Sequence, residues 1–290
     1  MANDVPRQSS VQCLSPTGIH RMAYVEWGAP DNPHVLVCAH GLTRTGRDFD
    51  RLARVMADRY RVVCPDVVGR GRSDWLREAS GYALPQYVAD MVTLIARLNV
   101  EAVHWLGTSM GGLIGMALAG QPGSPVTRLV LNDVGPRINP EAVVRIGDYV
   151  GKSVRFATED EAIDYITLIS LGFGLRNRDE WREMTLSVLK RDGDGFVLHY
   201  DPKLALPIKA MTPEIAVASE AALWHVYDQI NCPTLLIRGE TSDLLSRETA
   251  AAMTQRGPHA TLTEFPGVGH APMFFDETQI GVVRRFLLQA

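Results

Sequence analysis

Ser109 lies in the pentapeptide Gly107-Thr108-Ser109-Met110-Gly111, where an apolar run from Val103 gives way to a small-residue pattern through Ala117 and Ala119. The spacing predicts a tight strand-to-helix turn. Glycine is needed on either side of the serine because a side chain there would collide with the turn, and the turn lifts the hydroxyl clear of the sheet. A serine held this way can attack an acyl carbon if a base takes its proton and an acid holds the base. Of eight histidines, His270 fits best, in the glycine-framed loop Gly267-Val268-Gly269-His270-Ala271-Pro272 straight after a strand-like run. Two aspartates are candidates for the acid. Asp243 follows the buried run Pro233 to Arg238 and gives the chain order serine, acid, histidine. Asp133 follows the run after the turn and could reach the same histidine. Asp243 is the preferred reading, and Glu240 is a weaker third option. The oxyanion of an acyl-transfer intermediate needs two preorganised donors. The Met110 amide at the helix start is one. The Leu42 amide, freed to turn by Gly41 in His40-Gly41-Leu42-Thr43, is the other, with His40 read as a residue that fixes this loop.

The surrounding pattern says what must position these groups. His34 to Ala39, Arg61 to Pro65, the run from Val103 that meets the pentapeptide at Gly107, Val126 to Asn132 and Pro233 to Arg238 read as strands, and His34 to Ala39 is near-continuously apolar, the mark of a strand buried on both faces of a parallel sheet. Helical spacing separates them at Asp48 to Asp58, Leu84 to Leu98 and Ser246 to Arg256, and Ile280 to Leu288 closes the chain. Two shorter strands, Val11 to Leu14 and Arg21 to Trp27, flank a turn at the start. Strands alternating with helices predict an α/β fold with a doubly wound, mostly parallel sheet. Loops at the carboxyl ends of such strands open on one side, which places Ser109 and His270 on one rim. From about Pro140 to Asp228 the patterns are helical with charged faces, apart from a turn at Arg191 to Gly195 and an extended piece at Phe196 to Tyr200. The expected organisation is a core of residues 1–136 and 229–290, with residues 137–228 inserted as a mainly helical lid.

Bulk properties bound the function. The 290 residues suit one large domain with an insertion, and 46% apolar residues are ample for a core. A net charge of −4 without long runs of one sign argues against nucleic acid as a partner. Met1 to Gln12 lacks the apolar stretch of a signal peptide, and no segment approaches a membrane span. Cys13, Cys38, Cys64 and Cys232 lack metal-ligand spacing, which points to reduced residues in a cytoplasmic protein. Arg44 and Arg47 read as solvated surface beside the Leu42 loop. Asp66 and Arg70, in Gly69-Arg70-Gly71-Arg72-Ser73, read as structural hydrogen bonding. The lid cations Lys152, Arg155, Arg176 and Arg178 read as helix-surface charge balanced by nearby acids.

Taken in order, the His40-Gly41 loop, the Pro65-Asp66 to Ser73 loop, the Gly107-Thr108-Ser109-Met110-Gly111-Gly112 turn, Asp243 and Gly269-His270 resemble the α/β-hydrolase superfamily over nearly the whole chain. The resemblance implies a mainly parallel eight-stranded sheet, a helical cap after the sixth strand, and Ser109, His270 and Asp243 as the triad. Relatives resembling haloalkane dehalogenases and epoxide hydrolases carry aspartate at the turn, and serine here argues against both activities.

The reading is therefore a serine hydrolase of a small carboxylic ester, thioester or lactone. It needs no cofactor or metal, and its partner is a small-molecule acyl substrate. Two other readings use the same residues: hydrolysis of an activated carbon–carbon bond in a ring-cleavage product, and ligand sensing with little turnover. Neither the acyl chain nor the oligomeric state is legible at this level.

Overall fold

A computed structural model describes residues 5–289. The leader reading of Met1 to Gln12 therefore falls partly on residues 1–4, which lie outside those described. The chain opens with an antiparallel hairpin, β1 (Arg7–Ser15) and β2 (Gly18–Trp27). Both strands are longer than the apolar pattern alone marks, because polar residues alternate along the open face of β1. Then come β3 (Val35–Ala39), α1 (Asp50–Met56), β4 (Arg61–Pro65), α2 (Leu84–Leu98), β5 (Val103–Thr108), α3 (Met110–Ala119) and β6 (Val126–Asn132).

The segment after β6 holds α4 (Pro140–Tyr149), β7 (Arg155–Phe156), α5 (Glu159–Ile169), α6 (Arg178–Leu186), β8 (Leu189–Asp192), β9 (Gly195–Leu198), α7 (Ala205–Lys209) and α8 (Pro213–Asp228). It is more than helical, since β7, β9 and β8 pair as a small antiparallel sheet. Strands of two to four residues with exposed positions leave no buried apolar run to read. The chain then returns to the large sheet with β10 (Thr234–Gly239), α9 (Arg247–Gln255), β11 (Thr261–Phe265) and α10 (Glu277–Leu287).

The eight strands lie in the order β1-β2-β4-β3-β5-β6-β10-β11, and every pairing from β4 to β11 is parallel. Successive β3 residues face opposite cores. Val35, Val37 and Ala39 join a cluster with α2 and α3, while Leu36 and Cys38 join one with α1 and α10. Burial on both faces is why β3 reads as a near-continuous apolar run. No helix among the described residues is long and apolar enough to cross a membrane.

Register is what matters for the site. Ala39 pairs with Gly107, Thr108 with Asn132, and Asn132 with Ile237. The next residues along these strands therefore emerge side by side at one sheet edge: His40 after β3, Ser109 after β5 and Asp133 after β6.

Candidate active site

Ser109 stands between β5 and α3 with φ 53° and ψ −117°, a conformation costly for any residue with a side chain and typical of functional turns. A Cβ on Gly107 would lie 2.1 Å from the Gly111 carbonyl oxygen, and one on Gly111 would lie 2.0 Å from that of Ala39. Only glycine lets the turn close this tightly onto β3. The Ser109 amide donates to the Asn132 carbonyl at 3.0 Å, which fixes the turn against β6.

His270 lies within hydrogen-bond reach of the serine, its Nε2 3.0 Å from Ser109 Oγ. Its Nδ1 is 2.6 Å from Asp133 Oδ2. With the proton on Nδ1, the ring donates to Asp133 and accepts from the Ser109 hydroxyl, the tautomer needed for a base at Nε2. Asp133 is fully buried at the end of β6. Its Oδ1 accepts from the Gly239 amide at 2.9 Å, and its Oδ2 also accepts from the Ser242 hydroxyl at 2.6 Å. The carboxylate is thus held from three directions in a water-poor setting, where charge-assisted hydrogen bonds are strong.

The sequence preference for Asp243 is corrected by this arrangement. Asp243 is exposed and has no hydrogen bond to His270; its carboxylate is bound by Arg145 of α4 at 2.7 and 3.1 Å. One residue earlier, Ser242 gives its hydroxyl to Asp133, so the loop after β10 reaches the relay through Ser242 while Asp243 is taken by Arg145 at the rim of the cleft. Glu240 is no partner of His270 either, since it accepts from the Gly267 amide. Because β6 and β10 are neighbours, an acid after either strand can reach the rim. Asp133 directly follows the last β6 residue and Asp243 lies four residues beyond β10.

The loop that carries Leu42 and the start of α3 both border the serine. Gly41 packs against Ser109, its ideal Cβ position 3.7 Å from the Ser109 Cβ. Met110 begins α3, where the first amides have no intrahelical acceptor. His40 is buried and ties the loop down, with Nδ1 donating to the Gly41 carbonyl at 2.6 Å and Nε2 accepting from the Val67 amide at 2.9 Å. Burial pulls its pKa down from 6.5 to about 3, and the cations Arg70 and Arg44 pull the same way.

Arg70 does more than pack its loop. It is fully buried and donates to the Leu42 carbonyl at 2.7 Å, the Val68 carbonyl at 2.7 Å, the Tyr87 hydroxyl at 3.0 Å and Met110 Sδ at 3.2 Å. One guanidinium therefore grips both candidate oxyanion residues. Arg44, expected at the solvated surface, is buried. It forks onto Asp48 at 2.8 and 2.6 Å and donates to the Met184 carbonyl at 3.0 Å, joining the inserted segment to the core. Arg47 pairs with Asp50 at the surface as expected.

Above the serine lies a cleft of about 700 Å³, lined from the core by Gly41, Leu42, Ser109 and His270 and from the inserted segment by Tyr149, Tyr165, Ile169 and Leu198. This volume is typical of small-molecule sites. The Gly269 amide donates to the Gly172 carbonyl at 2.6 Å, so the inserted segment also touches the histidine loop. Away from the cleft, Cys13, His20 and Asp90 bring three possible metal donors within 4.8 Å of one another. Two of them already bind each other, His20 Nε2 to Asp90 Oδ2 at 2.9 Å, and burial raises the Cys13 thiol to about 12. The trio fastens the β1–β2 hairpin to α2.

The alpha/beta hydrolase family matches residues 36–283. A 3-hydroxybutyrate-oligomer hydrolase of Cupriavidus necator is 58% identical, over 98% of this chain and 99% of that one. A pimeloyl-[acyl-carrier protein] methyl ester esterase of Aeromonas salmonicida is 23% identical, over 87% and 94% of the two chains. A crystal structure of an alpha/beta hydrolase from Novosphingobium aromaticivorans superposes with a TM-score of 0.85 at 33% identity, covering 97% and 98%.

Proposed function

The chain belongs to the alpha/beta hydrolase family, and from that premise we propose that it hydrolyses carboxylic esters through an acyl-enzyme on Ser109, with short oligoesters of 3-hydroxybutyrate as substrates. The observation that carries the reaction is the relay Ser109 Oγ to His270 Nε2 at 3.0 Å and His270 Nδ1 to Asp133 Oδ2 at 2.6 Å, on the floor of the cleft. The substrate class rests on the relative with 58% identity over nearly the full length of both chains, which also favours ester over carbon–carbon cleavage.

In the proposed cycle His270 takes the Ser109 proton as Oγ bonds to the ester carbon, and the charge that develops on the carbonyl oxygen is met by the Leu42 and Met110 amides. Asp133 holds the ring in its working tautomer and stabilises the imidazolium. Collapse breaks the carbon–oxygen bond, and His270 gives the proton to the departing alcohol. A water then enters, loses its proton to His270 and releases the acid and free Ser109. Residues 137–228 act as the lid that shapes the cleft, over a core of residues 1–136 and 229–290. A cytoplasmic location is supported by Cys13, Cys38, Cys64 and Cys232, which are all free.

The test is a fluorophosphonate probe on wild type and Ser109→Ala, with turnover of a 3-hydroxybutyrate dimer run in parallel. Labelling and hydrolysis in wild type, both abolished in the variant, is the expected result. A folded wild type that neither labels nor hydrolyses the dimer contradicts the proposal.

A further inference from the structure

The charged groups around the cleft resolve into two ion pairs, with one cation, Lys152, and one exposed anion, Asp148, left over. Arg44, Arg145 and Lys152 line it, together with Asp48, Asp148 and Asp243. Arg44 is committed to Asp48 and Arg145 to Asp243. The other cations of the inserted segment that the sequence groups with Lys152 are also bound: Arg155 to Asp192 and Asp194, Arg176 to Asp276, and Arg178 to Asp160 and Asp164. Lys152 has no ion pair or side-chain hydrogen bond to any described residue. Its one hydrogen bond is through its backbone amide to Tyr149, and no ion pair joins it to the exposed Asp148. An ammonium that borders a mostly apolar cleft and has no internal partner is available to a ligand anion.

An oligoester of a hydroxy acid carries one carboxylate, at its acid end, on the alcohol side of the last ester bond. We propose that Lys152 binds this carboxylate and so selects free-acid oligoesters and sets which bond lies over Ser109; the assignment rests on the ester-hydrolase reading above. When Ser109 attacks the last ester carbonyl, the carbon–oxygen bond breaks and His270 protonates the leaving oxygen. The hydroxy acid then departs with its carboxylate still facing Lys152. The uncharged remainder of the chain lies against apolar lining such as Val154, Ile169 and Leu198.

Three butyryl esters test this: p-nitrophenyl butyrate, 3-(butyryloxy)butanoate and the methyl ester of the latter, each with wild type, Lys152→Met and Lys152→Arg. Wild type is expected to prefer the free acid to its methyl ester. Lys152→Met is expected to lower kcat/KM on the free acid about tenfold while the two uncharged esters stay within about twofold, and Lys152→Arg keeps the preference. Raising salt from about 0.05 to 0.5 M should erode the wild-type preference, because the ammonium is exposed and screened. Equal losses on acid and methyl ester, or a wild type that does not discriminate, overturn the role of Lys152 and leave ester hydrolysis standing. Turnover of p-nitrophenyl butyrate with neither butyryloxybutanoate ester cleaved overturns the oligoester reading, and the role of Lys152 with it.

Discussion

At the scale of single residues, Arg70 has the most unusual environment. A guanidinium with no exposed surface normally needs a carboxylate to offset its desolvation. Here carbonyl oxygens, a tyrosine hydroxyl, a thioether and the ring faces of Tyr82 and Tyr87 do that instead. Since its Nε holds the Leu42 carbonyl and an Nη touches Met110, Arg70 sets the spacing of the two amides proposed to stabilise the oxyanion. Arg70→Lys keeps the charge and loses the fork, which reaches several acceptors at once. We expect kcat to fall roughly 10- to 100-fold with KM changed less than about threefold, since the loss is of transition-state stabilisation. Steady-state kinetics on p-nitrophenyl butyrate, with a urea melt to confirm folding, checks this. An unchanged kcat would show that the loop holds its shape without the fork.

At the scale of elements, the strand-end loops do the positioning, and the His40 loop does so in a pH-dependent way. Both ring nitrogens are committed in the neutral form, Nδ1 as donor and Nε2 as acceptor. Burial keeps the folded pKa at about 3 against 6.5 for the free side chain. Between these values the unfolded chain binds a proton that the folded chain refuses. Stability therefore falls as pH drops below about 6.5, by up to about 1.4 kcal/mol per pH unit from this group. We expect His40→Gln to be less stable than wild type at pH 7 but to lose less between pH 7 and 5, as read from urea midpoints at the two pH values. A loss as steep as in wild type would remove His40 as the cause. These loops also mark how far the sequence can be read. The turn at Ser109 and the loop at His270 were legible because glycine spacing and a preceding apolar run specify local geometry. The role of Arg70 was not, because its acceptors Leu42 and Val68 belong to different loops, and only the packing of β3 beside β4 and β5 brings them together. Of the small sheet of β7, β9 and β8, only the turn at Arg191 to Gly195 and the extended piece at Phe196 to Tyr200 were legible, since the remaining residues are too exposed to leave a buried pattern.

At the scale of the whole molecule, the fold presents two neighbouring strand ends, β6 and β10, from which an acid can reach one histidine. Sequence order names both and does not choose between them. The choice is made by tertiary structure. The end of β10 and the loop after it turn the Gly239 amide and Ser242 onto Asp133, while Arg145 of the inserted segment engages Asp243. The loop that carries Asp243 thus supports the relay without supplying its carboxylate, and Asp243 instead pins α4 to the rim of the cleft. The most direct measurement is a comparison of kcat for Asp133→Asn and Asp243→Asn on the same ester. The account predicts a loss of about 10³- to 10⁴-fold for Asp133→Asn, in which the histidine tautomer is no longer enforced. For Asp243→Asn it predicts a change within about threefold, the scale of an exposed ion pair worth up to about 1 kcal/mol. The reverse pattern, with Asp243→Asn inactive and Asp133→Asn near wild type, would contradict it.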